Sequence, residues 1–165
     1  MSKNFDFLLT NIPKYYKNKI LSDGFVSKIF TFLNNHHQII FINEWEQIKG
    51  GLESDFCKFL VKKYNADCYS RGSLFVNEKE EQTMSLIFID KTNDEGIEKI
   101  ASVQRDNTNK IISIGEFKTY TSKKKDIIFG WLYDDSEFTP DQLNLFNNLH
   151  DEIKDHFIIR DLSSN

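Results

Sequence analysis

Apolar residues recur at roughly helical spacing early in the chain, at Tyr16, Ile20, Phe25, Ile29, Phe30 and Leu33, and Pro13 suits the first turn of a helix. Ser22-Asp23-Gly24 interrupts that spacing, so the pattern predicts two short helices, or one kinked helix, ending near Asn34-Asn35. Residues 38–43 carry the β-branched density of a buried strand. Gly50-Gly51 then breaks the chain before a helix over 52–64, with Leu52, Phe56, Phe59 and Leu60 as its buried face.

From Gly72 onward the pattern changes to alternating runs separated by polar turns. Strands are expected at 73–76, 83–89, 97–103, 110–120 and 127–133, with turns at 77–82, 91–96, 105–109 and 121–126. Ile97, Ile100 and Ala101 also fit a helical turn. Connections this short join antiparallel neighbours and leave no room for parallel crossovers, which predicts a meander. Thr139-Pro140-Asp141-Gln142 is a capping box with Pro at the first helical position, and Leu143, Phe146, Leu149, Ile153 and Phe157 trace one apolar stripe behind it. A long terminal helix needs a surface for that stripe, and the open face of the meander is the natural one. The expected fold is α+β: an antiparallel β-meander of about five strands packed with an N-terminal helical segment, a middle helix and a long C-terminal helix, in a single domain spanning 1–165.

Composition supports one self-sufficient core. The 165 residues are 39% hydrophobic and 28% charged, and no linker or repeat divides them. No apolar run reaches the roughly 20 residues of a membrane-spanning helix, and the start of the chain lacks a secretory pattern, so a cytoplasmic protein without membrane contact is expected. Cys57 and Cys68 lack CxxC spacing and read as reduced, packed thiols. With 18 lysines and only three arginines, the chain is short of the residue used for bidentate phosphate and guanine contacts, which argues against a nucleic-acid partner. Charge is uneven: residues 1–82 hold 11 basic and 10 acidic side chains, residues 83–165 hold 10 and 15. Near the end, Asp134, Asp135, Glu137, Asp141, Asp151, Glu152, Asp155 and Asp161 face only Lys154 and Arg160, a balance that attracts a basic protein surface.

Two strings carry candidate chemistry. Ile111-Ile112-Ser113-Ile114-Gly115-Glu116-Phe117-Lys118 resembles the strand of the PD-(D/E)xK nucleases, in which a Glu and a Lys two apart share one strand face. That resemblance implies a Mg²⁺ site with Glu53, Asp106 and Glu116 as ligands and Lys118 as the positioning cation. Residues 127–153, an apolar strand, an acidic loop and Phe138-Thr139-Pro140-Asp141 before a helix, are similar to the last strand and helix of GAF-type sensory domains. This second resemblance covers under a fifth of the chain and implies a sensory role. His36 and His37 are adjacent, and His150 and His156 lie six apart, so neither pair has the spacing of a zinc site. Nucleophile elbow, P-loop and dinucleotide glycine patterns are missing from the sequence. The Lys123-Lys124-Lys125 run reads as a solvated turn. Trp45 stands between Glu44 and Glu46, and Trp131 stands beside Asp134 and Asp135; an aromatic ringed by acids is either core packing or an interface anchor.

The preferred reading is a small acidic binding protein of bacterial or phage type, with the PD-(D/E)xK nuclease as the alternative and a GAF-like sensory domain as the third. An immunity or inhibitor protein that covers the basic active surface of a toxin or nuclease matches it in class, though no family motif supports it. Its docking surface would comprise Trp131, Asp134, Asp135, Glu137, Asp151, Glu152 and Asp155. No cofactor or metal is expected on this reading. The sequence leaves the partner's identity and the oligomeric state open.

Overall fold

Ser2 opens the first helix, α1 (Lys3–Asp23), its hydroxyl accepting from the N–H of Phe5; Gly24 closes it at φ 77°, with its own N–H on the Ile20 carbonyl. The computed structural model describes residues 2–24, 27–76, 81–128 and 130–162. Pro13 lies inside α1, not in its first turn. Proline has no N–H to give the Leu9 carbonyl one turn earlier. Lys99 replaces that donor, its Nζ lying 3.0 Å from the Leu9 oxygen, and burial lowers the lysine's pKa. The helix is therefore continuous through a residue expected to start it.

The next segment departs from expectation. Residues 28–33 form a strand, β1 (Lys28–Leu33), where the pattern predicts helix, and β1 makes a hairpin with β2 (His37–Asn43). Both faces of β1 are buried, so polar residues do not alternate along it and its apolar run has no period of two to read. Asn34 builds the turn: its Oδ1 accepts from the N–H groups of His36 at 2.8 Å and His37 at 2.7 Å. Helix α2 (Gly50–Lys63) follows as expected, except that Gly50 and Gly51 belong to it. Phe25 and most of the expected turn at 77–82 lie outside the described residues.

Strands β3 (Cys68–Val76), β4 (Gln82–Asp90) and β5 (Glu95–Arg105) form the expected meander. The run 110–120 is two strands, β6 (Ile111–Ile114) and β7 (Lys118–Lys123), both paired with β5 and separated at Gly115, whose N–H bonds the Ser102 carbonyl at 3.0 Å. Of the residues expected as a strand at 127–133, 130–133 form a 3₁₀ turn (Gly130–Tyr133), 127 and 128 belong to no strand, and Phe129 lies outside the described residues. The capping box opens α3 (Pro140–Ile153), and a short strand, β8 (Ile158–Asp161), ends the described chain. The α+β class stands, with one antiparallel sheet of eight strands among the described residues in place of the five expected. Its order is β6-β5-β4-β3-β1-β2-β8, with β7 also on β5.

Helices cover both faces of this sheet. Phe5, Leu8, Ile12, Tyr16 and Ile20 of α1 pack on Ile29, Leu33, Ile40, Cys68, Leu86 and Phe88. On the other face, Phe56, Phe59 and Leu60 of α2 and Phe146 and Ile153 of α3 pack on Phe30, Phe32, Ile39, Phe41, Ile87 and Ile89. The alternation of these two sets along β1, β2 and β4 is the two-residue period of a strand buried on both sides. The α3 stripe also meets α2, where Phe146 lies 5.7 Å from Phe59 and 6.1 Å from Phe56. Two of the edge strands discourage further pairing: β8 is four residues long and β7 is exposed throughout, with a lysine at each end. No described helix is long and apolar enough to cross a membrane.

Candidate functional site

The segment 130–138 packs against α2 and carries four of the expected docking residues. Gly130 starts it where a side chain would strike the Lys124 carbonyl. Leu132 is fully buried, and the Tyr133 ring lies 5.8 Å from that of Tyr69, tilted by 45°, so those two residues fasten the segment inward. Trp131, Asp134, Asp135 and Glu137 are left facing out, with Trp131 40% exposed.

A residue not singled out in the sequence secures this arrangement. Lys58, in the middle of α2, is 2% exposed; its ammonium bonds the Asp134 carboxylate and the Ser136 hydroxyl and lies 5.7 Å from the Trp131 ring and 5.8 Å from the Phe138 ring. Lys62 adds a 2.7 Å bond to the Ser136 carbonyl. Partial burial works against the Asp134 charge, but the bonds from Lys58 and Ser136 outweigh it and hold the carboxyl below its ordinary range. The only sequence signal for Lys58 is one cation inside the apolar run Phe56-Cys57-Lys58-Phe59-Leu60-Val61, which a helix buried all round requires to be paired. Lys58→Met should keep the stem packing and lose the anchor. We expect a loss of about 1–2 kcal/mol in urea denaturation and faster amide exchange confined to 130–138.

Asp134, Asp135 and Glu137 line one wall of a groove of about 380 Å³, with Val61, Ala66 and Leu132 among its apolar lining. Asp134 is neutralised by Lys58, whereas Asp135 and Glu137 form no ion pair among the described residues. The remaining expected residues lie elsewhere. Asp151 sits in the last turn of α3, eleven residues beyond Pro140 and so about 16 Å along the axis at 1.5 Å per residue. Lys154 holds it at 3.2 Å, which lowers its pKa, and Glu152 and Asp155 lie exposed at the same end. The single acidic surface expected is thus two patches at opposite ends of α3, with two of its carboxylates already paired.

The nuclease constellation is dispersed. Glu53 is committed to Lys28, Asn43 and Arg71 under α2. Asp106 shapes the turn between β5 and β6, its Oδ1 accepting from the Thr108 N–H and hydroxyl and the Lys110 N–H. Glu116 is exposed in the connection between β6 and β7 rather than on a strand, which corrects the expectation that it shares a strand face with Lys118. No group of three or more His, Cys, Asp or Glu among the described residues is placed to hold a metal ion. The GAF-like ending also departs from its resemblance, because the described residues of 127–133 do not form the strand that carries it. Cys57 and Cys68 are buried, which raises both thiol pKa values and leaves them protonated. Trp45 is half-buried, edge-on to His156 at 5.3 Å. No protein-family model, curated protein or solved structure matches this chain.

Proposed function

We propose that this chain acts by covering a partner, in the manner of an immunity or inhibitor protein, and that the segment 131–137 docks on a basic protein surface of a toxin or nuclease. The observation that carries this reading is the half-exposed Trp131 beside Asp135 and Glu137, which form no ion pair among the described residues, on a segment whose Asp134 and Ser136 side chains are anchored from beneath by Lys58. A tryptophan supplies contact area in an interface core. Free carboxylates at the rim steer a cationic partner. Anchoring reduces the ordering cost that a loose loop would incur on docking. Asp151, Glu152 and Asp155, at the far end of α3, form a separate patch and are outside the central contact.

Asp135→Lys combined with Glu137→Lys reverses the free charges and leaves the Asp134–Lys58 anchor in place. With the chain as bait in cells of its source, a cross-linked partner should be identified, purified and lose its own activity on stoichiometric addition of this protein. The double variant should slow association at least tenfold, and raising the salt from 0.05 to 0.5 M should slow the wild-type protein similarly. A partner bound equally well by the double variant, or one whose activity survives saturation, would remove this surface from the function.

A further inference from the structure

His150 is the buried histidine of the described chain, 6% exposed, at the junction of α2, α3 and the segment leading into β8. Its ring lies 6.3 Å from Phe59 of α2, 5.8 Å from Tyr64 at the C-cap of that helix, and 5.7 Å from Phe157, whose own ring lies 5.1 Å from Phe41 of β2. Nε2 is 2.8 Å from the Tyr64 hydroxyl. Nδ1 is buried with no hydrogen-bond partner among the described residues; Asp151 is 3.6 Å away and mostly exposed.

From this geometry we infer that His150 is a proton-sensitive clasp, neutral when closed, whose protonation loosens the α3–β8 junction and uncovers the edge of β2. The charged ring carries an N–H on both nitrogens. With the Tyr64 hydroxyl as donor, the bond at Nε2 must reverse, and that hydroxyl proton then needs a new acceptor. Burial disfavours the cation first, and the charge of Lys63 on α2 adds to it, with a smaller contribution from Lys154; Asp151 opposes them, and the net direction is a lowered pKa. Phe157 directly precedes β8, so any displacement that hydrates the ring pulls on a four-residue strand whose one strand partner among the described residues is β2. This inference does not depend on the docking surface at 131–137.

The sign follows from linkage. An open state with an ordinary histidine pKa of about 6.5 binds more protons than the closed state, so the clasp is at full strength above that value and weakens as the pH falls below it. Hydrogen exchange, corrected for intrinsic rates, should show β8 and its β2 partners losing about tenfold protection between pH 7.5 and 5.0. The midpoint should coincide with the His150 imidazole resonance followed by NMR. His150→Phe should abolish the dependence, and His156→Phe should retain it. Protection that does not change with pH, an equal loss in His150→Phe, or a His150 titration at or above 6.5 would overturn the inference. Should His150→Phe fail to fold, the wild-type comparison decides alone: separate midpoints for β8 exchange and His150 titration overturn it, and coincident ones sustain it.

Discussion

Glu53→Ala should remove about 3 kcal/mol of stability, measured by urea denaturation with tryptophan fluorescence as the probe. Glu53 stands in the first turn of α2 and is 3% exposed, yet it is charged and tied to three strands. Lys28 of β1 reaches its two oxygens at 3.3 and 3.2 Å, Asn43 of β2 donates to Oε2 at 2.5 Å, and Arg71 of β3 lies 3.9 Å away. Removing the carboxylate leaves the Arg71 guanidinium, itself 13% exposed, in the interior without this countercharge. It also deprives the Asn43 amide of an acceptor and leaves a void at the helix start. Glu53→Gln keeps the volume and the Asn43 contact and should cost about half as much. A loss below about 1 kcal/mol for the alanine variant would mean that Lys28, 43% exposed, and Arg71 simply rehydrate. Stability, rather than metal uptake, is the expected readout at this residue.

Gly72→Ala should cost about 2–3 kcal/mol and lower the melting temperature by about 5–10 °C. Gly72 lies on β3 beneath α1, and an added methyl would sit 2.6 Å from Cζ of Tyr16 and 2.9 Å from Cδ2 of Leu86. The Tyr16 ring cannot move aside easily, because its hydroxyl donates to the Ser27 carbonyl at 2.5 Å and the ring is 1% exposed. Relief therefore requires α1 to lift from the sheet. Tyr16→Leu is itself destabilising, but combined with Gly72→Ala it should give a loss smaller than the sum of the two, because the smaller side chain vacates the clash. Strict additivity would show that the methyl is absorbed by Leu86 instead.

Much of the fold was legible locally. The helix over 52–64 and the strands over 83–89 and 97–103 were read from residue spacing, and α3 from its cap, in which Thr139 and Gln142 satisfy each other's N–H groups. The failures share one physical cause. Residues 29–33 have no polar face to give away their period, 158–161 form a strand only because β2 offers an edge, and 130–133 have strand-like residues but pair with no strand among the described residues. The Asn34-Asn35 pair between two aromatic and β-branched runs was a hairpin signal, read instead as a helix end. At the candidate site, Trp131, Asp134, Asp135 and Glu137 were read from composition, yet their division into paired and free carboxylates depends on Lys58, 76 residues from Asp134.

By itself the sequence determined the α+β class, the antiparallel meander, the middle helix and the capped terminal helix, since each depends on interactions within about four residues or between chain neighbours. Tertiary structure alone decided that β1 lies between β2 and β3, that β8 closes the sheet, that Glu53 and Lys58 are buried ions, and that the acidic tail divides into two patches. Those features arise from partners brought together across the chain, and the free energy of a buried charge or an edge strand depends on the group opposite it, which local pattern does not record.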